Sequence, residues 1–251
     1  MRITRIVRVA LYVALVFVAT IILQIYTPAT KGYFNLGEAA IYTIAIIASP
    51  IEAGIAGGLG ASIADLVTGY GYFAPGTLVI KFTEGFLVSL IYHRVAKYSR
   101  RISYWVSVIV SIVMGGIIGV VGYYKLSGLS ELSSVPINVL GIKVTALSAR
   151  VNISSALWIA IGILIACILL YATIIRGREN LTLAGSMIIG ALIMPLGYFL
   201  YEYLYTNPIV LGMPPEQAFF EIPVNIAQAL VGMAISAPIV VFLREAGGTS
   251  D

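Results

Sequence analysis

Asp65, Lys81 and Glu84 stand in a passage that otherwise reads as membrane, GASIADLVTGYGYFAPGTLVIKFTEG at 60–85. A charge at the centre of a bilayer costs roughly 2.5–3.5 kcal/mol on insertion scales unless it is paired or hydrated. Lys81 and Glu84 are three residues apart, so on a helix they share a face. Two readings follow. The three groups form a structural ion pair, with Asp65 tying across the Gly/Tyr-rich turn, or they form the polar floor of a ligand site. The cluster is larger than pairing alone needs, which favours the second.

Three other short stretches carry groups of the same kind. EIPVNIAQALVG at 221–232 sets Glu221, Asn225 and Gln228 on one helix face, with Pro223 in a first turn where its missing N–H matters least. Interhelical hydrogen bonds explain some amides in membrane helices. A stripe of one acid and two amides is nonetheless expensive as packing and points towards a ligand. GYFLYE at 197–202 joins Glu202 to aromatic rings that could stack on a flat heterocycle. Tyrosines at a membrane boundary are more often belt residues, and that is the reading for Tyr203 and Tyr205. FNLGE at 34–38 reads as a helix start, with Asn35 as the N-cap and Glu38 three residues on, as in a capping box. A helix N-terminus also offers free N–H groups to a ligand.

Familiar catalytic devices are missing. The chain has no GxxxxGK[ST] phosphate loop, no HExxH and no GxSxG, so it does not itself hydrolyse ATP in the usual way. Neither enzyme activity nor a metal site nor a cofactor is expected. His93 is the single histidine and opens the basic run HRVAKYSRR, most simply a topology signal; Cys167 is the single cysteine, so no intramolecular disulfide forms.

The elements that must position these groups are membrane helices. Of 251 residues, 60% are hydrophobic and 10% charged, against about 25% charged in soluble domains. Eight hydrophobic segments run roughly over 8–26, 36–49, 52–68, 77–93, 103–123, 155–175, 182–204 and 219–243. The first, behind the basic start MRITRIVR, is expected to be a transmembrane helix rather than a signal peptide, because its apolar run is long and more segments follow. The second is short; it crosses, is re-entrant, or joins the third as one helix kinked at Pro50. Eight crossings with both termini cytoplasmic leave only Lys31, Lys125, Lys143 and Arg150 outside, and Lys81 within a span. The other ten Lys and Arg fall inside, as the positive-inside rule prefers. On this topology Glu38, Asp65, Lys81, Glu84, Glu202, Glu221, Asn225 and Gln228 gather in or near the outer half, among tyrosines. The stretch 124–154 becomes an outer loop with local structure. Ala10 and Ala14 on segment 1 form a small-xxx-small pair that allows close helix approach, and Gly54/Gly58 and Gly115/Gly119 repeat the spacing for internal packing.

FNLGEAAIY, GASIADLVTGYGYFAPGTLVIK, GYFLYE and EIPVNIAQALVG, in that order, resemble the substrate-binding (S) components of energy-coupling factor (ECF) vitamin transporters. Ala10-xxx-Ala14 stands where that family has its AxxxA coupling motif. The resemblance covers roughly 5–95 and 182–245. It implies an all-α integral membrane protein of the cell membrane, with core helices in 1–95 and 181–251 and an insertion of two helices and an outer loop in 100–180. It implies a subunit that binds a vitamin-like ligand from outside and touches membrane lipid but no nucleic acid. Such a subunit docks on a transmembrane coupling subunit carrying two ATPase subunits. The pocket residues it implies are Asn35, Glu38, Asp65, Lys81, Glu84, Glu202, Asn225 and Gln228, with Ala10 and Ala14 facing the coupling subunit. Tyr72 joins them as a ring to stack on the ligand, and the turn 69–76 is a candidate gate. Pyridoxine, a hydroxymethylpyrimidine and riboflavin fit this charge balance about equally. A stand-alone proton-coupled secondary transporter, using Asp65, Glu84 or Glu221, and a structural subunit without ligand are the alternatives.

Overall fold

The computed structural model describes residues 2–27, 31–95, 149–175 and 178–246, with 105, 108–109, 111–113, 115–116, 119–120, 123–124, 128–132, 136–139 and 142–145 between them. The helices are α1 (Arg2–Ile22), α2 (Gly37–Ile47), α3 (Pro50–Thr68), α4 (Ala74–Val95), α5 (Ser155–Ile175), α6 (Arg178–Tyr201) and α7 (Glu221–Ala246). Every described position between 105 and 124 is also helical. Lys97, Arg100, Arg101, Lys125 and Arg176, used to orient the chain, lie outside the described residues.

Among the described residues, five helical stretches are long and apolar enough to cross a membrane: Ile3–Ile22, Pro50–Thr68, Ala74–Arg94, Gly185–Leu211 and Pro215–Leu243. Helix α2 has 11 residues, a length of about 16 Å at 1.5 Å per residue. That is about half of a ~30 Å hydrocarbon core. The stretch 36–68 is two helices, not one with a kink: Ala48 is extended, and Pro50 starts α3 at a position where no N–H is needed. The freed carbonyl of Ala48 accepts from Ser89 Oγ (2.8 Å) and His93 Nε2 (3.1 Å). His93 thus has a structural task beyond its place in a basic run.

Short strands modify the all-helical expectation on one side of the bundle. Helix α1 stops at Ile22, and the chain continues as β1 (Leu23–Thr27), which pairs antiparallel with β2 (Gly32–Asn35). The run to Tyr26 is mostly apolar, and Gln24, almost fully buried, donates to Thr68 Oγ1 on α3 at 3.2 Å. The expected outer loop supplies β3 (Gly128–Leu132), β4 (Pro136–Val139), β5 (Ile142–Thr145) and β6 (Ala149–Ile153). Their order is β2-β1-β4-β5 in one sheet and β3-β6 in the other, so the loop is tied to the β1–β2 hairpin by strand pairing.

Small residues decide how the helices pack. Helix α3 lies most extensively against α4, α1 against α3, α4 against α6, and α2 and α6 against α7. A Cβ on Gly57 would stand 2.7 Å from Lys81 O, one on Gly58 2.7 Å from Leu78 O, and one on Gly85 2.6 Å from Ala53 O. Backbone therefore touches backbone along the α3–α4 seam. Gly115 meets Gly162 O in the same way, so the peripheral helical positions rest on α5. Helices α1 and α3 are also tied by charge, since Glu52 Oε1 accepts from Arg5 Nε (2.9 Å) and Arg8 Nη2 (2.8 Å). Glu52 Oε2 accepts from the Ser49 N–H at the start of α3 (3.2 Å).

The seam gives a direct expectation. Gly57→Val should destabilise the detergent-purified protein by about 1–3 kcal/mol through overpacking. Gly71→Ala, where a Cβ meets nothing nearer than Leu66 at 3.7 Å, should melt like wild type. Equal melting of both variants would show that α3 and α4 do not need this approach.

Candidate functional site

The α3–α4 seam opens at one end into a cavity of about 30 Å³, room for about one or two waters. Thr20 of α1, Tyr33 and Asn35 of β2, Glu38 and Ile41 of α2 and Asp65 of α3 line it. So do Phe73, Thr77 and Lys81 on or just before α4, Met194 and Tyr198 of α6, Glu202 just beyond it, and Glu221, Asn225 and Gln228 of α7. Lys81 follows Ala74, the first residue of α4, by seven positions, about 10 Å along the axis. The floor is therefore well inside the bundle.

Lys81 Nζ pairs with Glu38 Oε1 and, at 3.1 Å, with Glu84 Oε2. Glu38, Lys81 and Glu84 are 1%, 2% and 0% exposed, so this is a desolvated triad. Neighbours hold each member in place. Gln228 Nε2 donates to Glu38 Oε1 at 3.1 Å and Tyr42 OH donates to Glu84 Oε1 at 2.9 Å. The Tyr198 ring centroid lies 5.5 Å from Lys81 Nζ, within cation–π range. Glycines make room: a Cβ on Gly232 of α7 would collide with Glu38 Cβ, and one on Gly190 of α6 would stand 2.6 Å from Val88 and 2.9 Å from the Tyr42 ring.

The upper wall is aromatic. Tyr33 OH donates to Asp65 Oδ1 at 2.5 Å. Burial, reinforced by the Asp65 carboxylate, pushes the Tyr33 phenol well above its ordinary value, so it keeps its proton and remains a donor. The Tyr33 and Tyr70 rings lie 4.3 Å apart, Tyr72 and Phe73 4.8 Å, and Phe73 and Tyr198 6.4 Å. Thr77 and Tyr198 share a hydrogen bond at 2.9 Å.

Seven of the nine expected ligand residues line this one cavity: Asn35, Glu38, Asp65, Lys81, Glu202, Asn225 and Gln228. The other two do not. Glu84 lies one turn beyond Lys81 and is covered by Lys81 and Tyr42. Tyr72 faces the rim, where its OH donates to Lys31 O at 2.8 Å and its own carbonyl accepts from Tyr201 OH at 3.0 Å. The expected capping box at 35–38 is also different. Leu36 occupies the N-cap position, Asn35 Oδ1 accepts from the Gly37 N–H, and the Asn35 N–H donates to Gln228 Oε1, each at 2.8 Å. Glu38 turns inward to Lys81 because a buried ammonium offers more than a partly wet N–H. Thr20, Tyr33, Thr77, Tyr198 and Glu221 also line the cavity without having been in the expected set. Glu221 shares the Asn225–Gln228 face and Tyr198 belongs to the GYFLYE stretch, so both carried a signal; Thr20, Tyr33 and Thr77 carried none beyond residue type. Ala10 and Ala14 lie exposed on α1, among the exposed Val7, Leu11, Leu15 and Val18.

Residues 1–174 match the model of the ECF-type riboflavin transporter S component family. The chain belongs to that family. The S component family is one of transport subunits rather than enzymes, and with five membrane-competent helices among its described residues the chain is a multi-pass protein of the cell membrane. S components of ECF transporters bind a vitamin-like substrate and associate with coupling and ATPase modules. The match runs through 103–174 and stops before α6 and α7, which supply Met194, Tyr198, Glu221, Asn225 and Gln228. A protein of Pyrococcus woesei, described as an uncharacterized protein in gap 3′ region, is 37% identical over 112 residues. That stretch is 45% of this chain and 70% of the relative.

Removing one partner of a buried ion pair costs about 3–5 kcal/mol, whereas replacing the whole set with neutral groups is often nearly neutral. Lys81→Met alone should therefore lower the melting temperature sharply, and adding Glu38→Gln and Glu84→Gln should return most of it. Thermal denaturation in detergent reads both. A single variant that melts like wild type would show that the triad does not hold the fold.

Proposed function

We propose that this S component takes a planar heterocycle of the B-vitamin kind from outside the cell into the cavity around Lys81. It then delivers the ligand inward by docking through α1 on a coupling subunit that carries two ATPases. The observation that carries the reading is the Glu38–Lys81–Glu84 triad, desolvated yet bordering a cavity walled by Tyr33, Phe73 and Tyr198. A triad needed only for packing would not require an aromatic cleft beside it. The family's own name makes riboflavin the first ligand to try.

In this reading the tyrosine and phenylalanine rings cover the faces of the ligand, Asn35, Asn225 and Gln228 read its edges, and Glu38, Asp65, Lys81 and Glu202 answer its polar groups. Glu84 acts from behind by holding Lys81. The present cavity is far smaller than a heterocyclic vitamin, so entry parts the aromatic wall above the ion pairs. The turn between α3 and α4 is the proposed gate. Gly69 ends α3 there with φ of 92°, a conformation that glycine adopts without strain. Helices α1–α4, α6 and α7 form the proposed six-helix core, with both termini cytoplasmic and 100–180 as an insertion. In support, among the described residues α5 touches that core lightly, and chiefly through α6. ATP hydrolysis by the partner subunits then tilts the whole subunit and opens the cavity inward.

Two measurements test this reading. A panel of B vitamins, riboflavin first, should include one that raises the melting temperature. Linkage gives about 2.7 kcal/mol at a hundredfold excess over the dissociation constant. Asn225→Ala should remove that shift while folding normally; a protein that melts cooperatively with no response to the panel speaks against the proposal. In cells or vesicles carrying the ATPase module, Ala10→Trp and Ala14→Trp should abolish uptake and leave the thermal shift intact. Uptake that survives them and instead collapses with an uncoupler would assign the chain to proton-coupled transport.

A further inference from the structure

The cavity has an imbalance that its function must use. Among the described residues its lining holds four carboxylates, Glu38, Asp65, Glu202 and Glu221, and one cation, Lys81. That cation is already answered by Glu38 and by Glu84 behind it.

The hydrogen-bonding inventory leans the same way. Lys81, Gln228 and Tyr33 already donate to carboxylates. Four side-chain atoms of lining residues are buried without a partner, Glu38 Oε2, Asp65 Oδ2, Glu202 Oε2 and Asn225 Nδ2. Three of them are acceptors on acids and one is an amide donor. Glu202, Asp65 and Asn225 are 1%, 3% and 4% exposed, so water does not answer them at the surface. A buried acceptor left unmade costs its full desolvation, and a buried carboxylate more. A ligand that resolves this brings N–H donors and positive charge, and needs only one acceptor, for Asn225. The walls agree, since Tyr33 and Phe73 line the cavity and aromatic rings attract a cation.

We infer that the cavity selects a positively charged, N–H-bearing heterocycle over an uncharged or anionic one of similar size. The inference rests on the reading that the chain is a vitamin-binding subunit, and it departs from the uncharged flavin of the family's name. Asp65 and Glu202, on α3 and just beyond α6, are the residues that discriminate.

The test uses matched ligands on the full chain in detergent. Pyridoxamine and thiamine carry positive charge, pyridoxine and riboflavin do not, and nicotinate is an anion. Pyridoxamine or thiamine should stabilise the protein, with affinity at least about tenfold above that of the uncharged ligands, as a hydrogen bond to a charged group implies. Glu202→Gln should remove that preference while melting at or above the wild-type temperature, because it takes away a buried acid without a full set of partners. Riboflavin or pyridoxine binding as tightly as the cations, with Glu202→Gln unchanged, overturns the inference and leaves the vitamin-binding reading standing. No response to any of the five removes that reading and the inference together.

Discussion

An ammonium placed about 10 Å down a membrane helix has to be neutralised by the protein itself, and much of this fold follows from Lys81. Its two carboxylates come from different places, Glu38 from the first turn of α2 and Glu84 from the next turn of its own helix. Bringing Glu38 there requires α2 to begin deep and to lie close on α7, which Gly232 permits by having no Cβ. Holding Glu84 requires α6 to approach α4, which Gly190 permits. The backbone carbonyl of Lys81 itself touches Gly57 on α3. The glycines that look like scattered helix weakeners, each about 1 kcal/mol below alanine, are the clearance around one ion cluster.

The rim is built differently. Tyr201 OH donates to the carbonyl of Tyr72, and Tyr72 OH donates to the carbonyl of Lys31. A single path of hydrogen bonds thus joins the end of α6 to the α3–α4 turn and on to the β1–β2 hairpin. Such bonds contribute about 1 kcal/mol each in net stability, against the several kcal/mol at stake in the floor. The cavity therefore has a floor that resists rearrangement and a rim that parts at modest cost. Strand pairing of β1 with β4 carries the same hairpin into the β4–β5 strands, so those strands are attached where the hydrogen-bond path ends.

The floor was legible in the sequence because charge in a bilayer is expensive wherever it stands, and expense is visible in one residue. Glu38, Asp65, Lys81, Glu202, Asn225 and Gln228 all carried that signal. Tyr33 and Thr77 did not, since a tyrosine near a boundary is ordinarily a belt residue and a threonine in a helix ordinarily bonds its own turn. The end of α1 was misplaced because hydropathy cannot separate an apolar helix from an apolar strand, and Leu23–Tyr26 continues the run. Asn35 failed as a cap for another reason: its N–H is claimed by Gln228, 193 residues away, and no local pattern reports a partner at that distance. Tyr72 has the right ring at the right level, yet its hydroxyl finds a backbone carbonyl at the rim first.

Helix α3 ties the two surfaces that the proposed function needs. Near its start Glu52 holds Arg5 and Arg8 of α1, the helix whose Ala10–Ala14 face lies open. Near its end, thirteen residues on and about 20 Å along the axis, Asp65 borders the cavity and holds Tyr33. Between them the α3–α4 seam brings backbone against backbone at Gly57, Gly58 and Gly85, with little room to absorb a shift. Close-packed elements of this kind move as a unit rather than deform. A ligand that displaces Tyr33 from Asp65 therefore acts on the same rigid element that positions α1. Occupancy of the cavity and presentation of the open α1 face are mechanically one problem, and the glycines of α3 are what make it so.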